Sequence, residues 1–183
     1  MLQPPSPLHL RPLQLSDLAA VVAIEQQSFP TPAKERTYRY ELNENKLAHY
    51  QALTLRRAGE TEQLIGYAGY WLIADEVHIS TIAVDPRWRG HGLGELILIN
   101  IIYLVYEHEA ALVTLEVRES NQIAQELYLK YEFEKVGRRR RYYKDTGEDA
   151  LLMTVHLQSN EPYRRFLAQK EEQLYARLAS APF

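Results

Sequence analysis

The stretch Arg87-Trp88-Arg89-Gly90-His91-Gly92-Leu93-Gly94-Glu95-Leu96-Ile97-Leu98 sets three glycines at alternate positions directly before a run suited to a helix. A glycine turn that opens a helix presents the free N–H groups of the first turn and the positive end of the helix dipole to an anion, so the loop reads as a phosphate site. A dinucleotide fingerprint needs Gly-x-Gly-x-x-Gly on the first strand of a βαβ unit. Here Glu95 stands where the third glycine belongs, and the loop sits in mid-chain after several strand-like segments. A nucleoside-triphosphate loop would end in Gly-Lys-Ser or Gly-Lys-Thr, and neither is present. A diphosphate held by backbone N–H groups without a metal is left, with Arg87 and Arg89 able to add charge. Coenzyme A fits that description.

Working outward, residues 8–12 read as a short strand, and Ser16-Asp17 caps a helix with Leu18, Val21, Val22 and Ile24 at helical spacing. Phe29-Pro30-Thr31-Pro32 forces an extended exposed loop before a second helix over about 33–45. Residues 50–56, 63–73 and 77–84 form an antiparallel meander that runs straight into the glycine loop. A helix to residue 108 or 109 and an apolar strand over 111–117 follow, and strand, crossover helix and strand imply a parallel pair. A helix from Asn121 to about Lys130 precedes a long hairpin of 133–144 and 149–157, in which Arg138 to Arg141 are expected to alternate between faces. The tail over 161–178 is an amphipathic helix that packs on the domain or on another subunit.

The 183 residues suit one domain with an appended element. Lys and Arg total 21 against 24 Asp and Glu, a formal charge of −3, so no global basic field argues for nucleic acid. The absence of cysteine removes disulfides, thiolate metal sites and a cysteine nucleophile, and it fits a reducing cytoplasm, where we expect the protein. The six histidines are scattered without ligand spacing, so no metal is expected. The first residues lack the pattern of a secretory signal, and no apolar run reaches the roughly 20 residues that span a bilayer, so no membrane partner is expected.

Arg89-Gly90-His91-Gly92-Leu93-Gly94, preceded by Ile82-Ala83-Val84-Asp85-Pro86, resembles the acetyl-CoA signature of the GNAT acetyltransferase superfamily. The order of elements over about residues 8–157 is similar to its fold. Leu115-Glu116-Val117-Arg118-Glu119-Ser120-Asn121, with Ala124, Leu127-Tyr128 and Phe133, resembles the RimI-type ribosomal-protein alanine N-acetyltransferases. Gly137-Arg138-Arg139 through Tyr142-Tyr143, then Gly147-Glu148-Asp149-Ala150 and Met153, continue that likeness into the last hairpin. The resemblance implies an α/β GNAT fold for residues 8–157, a mixed sheet of about seven strands flanked by about four helices, with residues 158–183 as a C-terminal helical extension to which no role is assigned.

It also implies roles. Ile82, Ala83 and Val84 would lend backbone groups to the pantetheine arm of acetyl-CoA, with the Val84 N–H polarising the thioester carbonyl. The backbone of Arg89, Gly90, His91, Gly92, Leu93, Gly94 and Glu95 would hold the diphosphate, with His91 an exposed filler, and Asn121 would touch the cofactor arm. Glu116 would accept the ammonium proton and Tyr128 would protonate the departing thiolate. From the residues alone, Glu116 is equally a solvated strand carboxylate, Tyr128 a core tyrosine and Asn121 a helix cap. Phe29, Pro30, Thr31, Tyr142 and Tyr143 would grip the acceptor, which the resemblance makes a protein N-terminus, that of a ribosomal protein beginning with alanine. An α-amine, with a pKa of about 7.7 to 8.0, needs a weaker base than a lysine amine near 10.4. A lysine or small-molecule amine acceptor and a non-catalytic acyl-CoA-binding module stand as alternatives. Two departures bear on these expectations: Ala33 stands where many relatives carry tryptophan, and Glu132 where a glycine usually ends the helix.

Overall fold

The computed structural model describes residues 1–157 and 161–183. Among these, the strands are β1 (Leu8–Pro12), β2 (Ala48–Leu55), β3 (Gln63–Ile73), β4 (Glu76–Val84), β5 (Leu112–Arg118), β6 (Glu134–Tyr143) and β7 (Glu148–His156). The helices are α1 (Leu18–Ser28), α2 (Glu35–Asn43), α3 (Leu93–Glu107), α4 (Gln122–Lys130) and α5 (Glu161–Ala179). The sheet runs β1-β2-β3-β4-β5-β7-β6. Only β4 and β5 are parallel, joined through α3 as the sequence implies, and every other neighbouring pair is antiparallel. The second helix is shorter than expected because Lys34 is still extended at ψ 151°. The expected start of the extension at 158 lies outside the described residues.

One irregularity shapes the middle of the sheet. Gly69 pairs with Thr81 but Tyr70 with Ile79, so Ser80 is an extra residue in β4. Such a bulge bends its strand and increases the local twist. Pairing with β5 stops at the same point: Glu76 to Ile79 match Leu112 to Leu115, and no residue beyond Ile79 has a partner there. β4 and β5 therefore part company and leave a gap between them.

Each face of the sheet has its own core. On one, Leu53, Ile65, Val77, Ile79, Val113 and Leu115 pack under α3. On the other, Leu18, Val21 and Ile24 of α1 and Tyr38 of α2 meet Tyr50, Ala52, Tyr67 and Ala83. Residues 93 and 95–102 of α3, with Leu104 and Val105, are all buried, including Asn100. A helix apolar on every side needs cover on every side. Here α5 supplies the outer layer, burying Tyr163, Leu167, Leu174 and Leu178 against the domain.

The last hairpin corrects one expectation. Regular pairing of β6 with β7 ends at Arg139 opposite Ala150 and resumes only at Tyr143 opposite Glu148, so Arg138 to Arg141 do not alternate through. Asp149 explains the break. Its carboxylate accepts the Arg141 N–H at 2.7 Å and pairs with Arg138 Nε at 2.7 Å, drawing Arg141 into the left-handed region at φ 50°.

The end of α4 has the closing pattern of a Schellman turn, with Phe133 N–H donating to Tyr128 O and Glu132 N–H to Leu129 O. Glu132 sits at its left-handed position with φ 62°. An L side chain there costs roughly 1–2 kcal/mol, part of which a glycine returns as unfolded-state entropy. Glu132→Gly is expected to raise the urea midpoint at constant slope, a gain of about 0.5–1 kcal/mol.

Candidate active site

The glycine loop begins where β4 ends. Asp85 is buried, accepts the Arg87 N–H at 3.0 Å and pairs with the Arg87 guanidinium at 2.6 Å. That guanidinium, together with the Arg87 N–H, holds the Asp85 carboxyl below its ordinary value although burial opposes this. Arg89 Nε donates to the Val84 carbonyl at 3.0 Å and Nη2 to Ser28 Oγ at 2.7 Å. Both arginines are thus engaged within the protein and brace the loop against β4 and α1. Gly90 and Gly92 have φ 84° and 82°, and Gly92 is the residue from which α3 starts. The N–H groups of the first turn, at Leu93, Gly94 and Glu95, have no acceptor within the helix. The Leu93 side chain is buried and His91 is exposed, with its ring 5.9 Å from Phe183. Glu95 sends its carboxylate away into the protein, where it meets Lys130 Nζ and Tyr131 Oη at 2.6 Å and Arg177 Nη2 at 2.9 Å.

The register decides which backbone groups of β4 face the gap. Asp85 N–H bonds to Ile65 O at 2.9 Å, so the pairs Asp85–Ile65 and Ala83–Tyr67 exchange hydrogen bonds and the intervening pair Val84–Gly66 does not. Ile82 and Val84 consequently turn their N–H and C=O groups towards the β5 side. Ala83 does not: its backbone belongs to the β3 ladder and its side chain to the core beneath α1. This corrects its expected place among the coenzyme contacts.

Glu116 lies where β5 borders the gap. Its side chain is 5% exposed, with Oε2 2.6 Å from His78 Nε2 and Oε1 3.0 Å from Arg139 Nη2. Oε1 makes no hydrogen bond among the described residues but faces the Arg139 guanidinium, so both carboxylate oxygens lie against basic groups. Burial pushes the Glu116 carboxyl up, but the His78 bond and the charges of His78 and Arg139 outweigh it and hold the value below the ordinary one. Tyr143 Oη donates to the Glu116 carbonyl at 3.4 Å, and the Arg118 guanidinium covers the Tyr143 ring at 3.9 Å. Arg118 also holds Asp145 at 2.7 Å, and Asp145 accepts from Thr31 Oγ1 at 3.2 Å. The Phe29–Thr31 loop and the β6–β7 turn, two segments far apart in sequence, are thereby joined beside Glu116. Phe29 is half-buried on the α1 core, while Pro30 and Tyr142 are exposed.

Tyr128 is buried in α4 against Phe133, with ring centroids 5.6 Å apart. Burial, and then the nearby Tyr143, push its phenol above the ordinary range, so it stays protonated. Its hydroxyl has no hydrogen bond among the described residues. Asn121 caps α4 by accepting the Ala124 N–H at 3.2 Å, the role its residue type suggests.

Comparison with known proteins adds a family to this geometry. The model of the acetyltransferase (GNAT) family matches residues 18–133, from the first residue of α1 through the turn that closes α4. The chain belongs to the GNAT acetyltransferase family. A Bacillus subtilis protein, provisionally named a ribosomal protein bS18-alanine N-acetyltransferase, is 40% identical over 146 residues, 80% of this chain and 93% of its own. The Escherichia coli ribosomal protein bS18-alanine N-acetyltransferase is 32% identical over 145 residues, 78% of this chain and 93% of its own. The crystal structure of the E. coli ribosomal-protein-S18-alanine N-acetyltransferase superposes with a TM-score of 0.72 at 30% identity, covering 81% of this chain and 93% of that one.

Within this GNAT domain two residues escaped the sequence reading. His78 sits on β4 opposite Thr114, which sets its side chain on the same face as Glu116 two residues further along β5. The signal was the strand alternation, since Val77 and Ile79 are core residues and His78 between them cannot be. Glu25 is the second, a carboxylate at a buried position of α1 that accepts from the Ala33 N–H at 2.6 Å and from the Tyr38 and Tyr67 hydroxyls. It anchors the far end of the Phe29–Thr31 loop at Ala33.

The two left-handed glycines of the GNAT loop differ in surroundings. A Cβ on Gly90 would meet nothing within 4 Å, whereas one on Gly92 would come within 3.0 Å of Leu174 Cδ1. Gly92→Ala is expected to lower stability by about 2 kcal/mol and Gly90→Ala by about 1 kcal/mol, compared by urea unfolding of the two variants.

Proposed function

We propose that the chain transfers acetyl from acetyl-CoA to the N-terminal α-amine of a protein, the N-terminal alanine of ribosomal protein bS18. The observation that carries the reaction is the convergence at one gap of a hydrogen-bonded carboxylate and imidazole, Glu116 and His78, with the backbone groups of Ile82 and Val84 aimed into it. The names of the bacterial relatives support the acceptor.

The site fits coenzyme A. The N–H groups at Leu93, Gly94 and Glu95 suit its diphosphate and the helix dipole favours that charge. The N–H groups of Ile82 and Val84 and the Ile82 C=O suit the amides of its pantetheine arm, the Val84 C=O being taken by Arg89 Nε. The coenzyme supplies an activated acetyl thioester. The protein supplies the rest: the Val84 N–H stabilises negative charge on the thioester oxygen, and Glu116, oriented by His78, receives the proton of the incoming ammonium. Tyr128, kept protonated by its burial, donates to the departing thiolate. Thr31, Phe29 and Tyr143 bound the cleft on the acceptor side.

Tyr128→Phe is expected to lower kcat by about a hundredfold with little change in CoA affinity, because its proton is needed only as the thiolate leaves. Steady-state kinetics with calorimetry checks this. For Glu116, held ionised at neutral pH, the loss on Glu116→Gln is expected to grow as pH falls from 8 to 6. In that range the neutral amine becomes scarcer by about tenfold per unit and deprotonation limits the rate more strongly. A pH–rate profile of wild type and variant reads the difference. The acceptor is tested with paired peptides, one with a free N-terminal alanine and one blocked there but carrying a free lysine. Turnover is expected for the first alone, and equal turnover of the blocked peptide would assign the site to lysine.

A further inference from the structure

The helix α5 reaches the glycine loop at three points. Leu174 Cδ1 lies 3.0 Å from where a Cβ on Gly92 would stand. Phe183, just beyond α5, lies 6.2 Å from the Trp88 ring and 5.9 Å from the His91 ring, centroid to centroid. Arg177 pairs with Glu95 at 2.9 Å. The third contact is the informative one. Glu95 lies in the first turn of α3, beside the N–H groups offered to the diphosphate, and its carboxylate is 8% exposed. A negative charge in that turn uses the same dipole that attracts an anionic ligand, and it repels that ligand. Lys130 and Arg177 together reverse the sign, since one carboxylate faces two cations and the cluster carries a net positive charge. Lys130 comes from α4 of the family domain, whereas Arg177 comes from α5, beyond the segment that the family model matches.

We propose that α5 is part of the coenzyme site: Arg177 keeps the charge of Glu95 from opposing the diphosphate on the first turn of α3, while Leu174 braces Gly92. This rests on the coenzyme reading of the loop. Arg177 is a positioning residue, acting through Glu95, and its side chain is 56% exposed, so its replacement leaves the core intact.

The test is calorimetric titration of the full chain with CoA, using Arg177→Met, Arg177→Lys, Glu95→Gln and the double variant Arg177→Met/Glu95→Gln, with thermal melts as the folding control. Arg177→Met is expected to weaken CoA binding about three- to fivefold, the size of a charge effect at a helix end, and Arg177→Lys to retain wild-type affinity. Removing the carboxylate as well should restore affinity to within about twofold of wild type, which a merely structural role of Arg177 would not do. Wild-type affinity in Arg177→Met, or a double variant as weak as the single one, would overturn the proposal. Wild-type protein that binds no CoA would overturn the coenzyme reading itself, a result distinct from either.

Discussion

Everything in the site depends on β4 and β5 being held together at one end and apart at the other. The parallel ladder spans only Glu76 to Ile79 against Leu112 to Leu115, and the extra residue at Ser80 stops it there. Were β4 regular, Ile82 and Val84 would spend their outward N–H and C=O groups on β5, and no polar backbone would face the gap. The bulge thus does two things with one inserted residue. It makes room, and it leaves the lining of that room able to hydrogen-bond.

Three of the buried or nearly buried carboxylates, Glu25, Glu95 and Glu116, are held by different partners, and the partners set their uses. Glu25 is surrounded by donors, a backbone N–H and two phenols, and serves to fix a loop. Glu95 faces two cations and a phenol and serves to set the charge of a helix end. Glu116 has one oxygen held by His78 and the other facing the Arg139 guanidinium, which keeps a charged carboxylate at the edge of the gap. Residue type alone does not separate these cases. What separates them is how many donors reach each oxygen.

The order and kind of the elements were legible in the sequence because each carries its own local signal: the glycines before α3, the prolines after α1, the alternation in β2 to β4. The glycine loop was legible because a lysine and a third glycine are missing from it. What escaped was set by register. That Ala83 turns from the gap while Val84 faces it follows from a hydrogen bond between Asp85 and Ile65. That His78 meets Glu116 follows from four matched pairs between strands separated by a whole helix. Likewise, the break in the arginine run follows from one carboxylate, Asp149, which competes for a backbone N–H in the opposite strand. The contacts of α5 were not legible because an amphipathic helix states that it packs, but not upon what.

The brevity of the β4–β5 ladder has a mechanical side. On one side of it lie β1 to β4 and on the other β5 to β7, each internally antiparallel. Among the described residues the hydrogen-bonded seam between these two half-sheets is four residue pairs, extended by one bond from the Ala111 N–H to the Asp75 carbonyl, so the backbone contributes little to keeping them in line. The stiffness must come from the side-chain core on that face of the sheet, which includes Ile65, Val77 and Ile79 of one half and Val113, Leu115 and Met153 of the other, together with α3 and α5. In this protein the packed core, rather than the hydrogen bonds of the sheet, is what carries strain across the cleft.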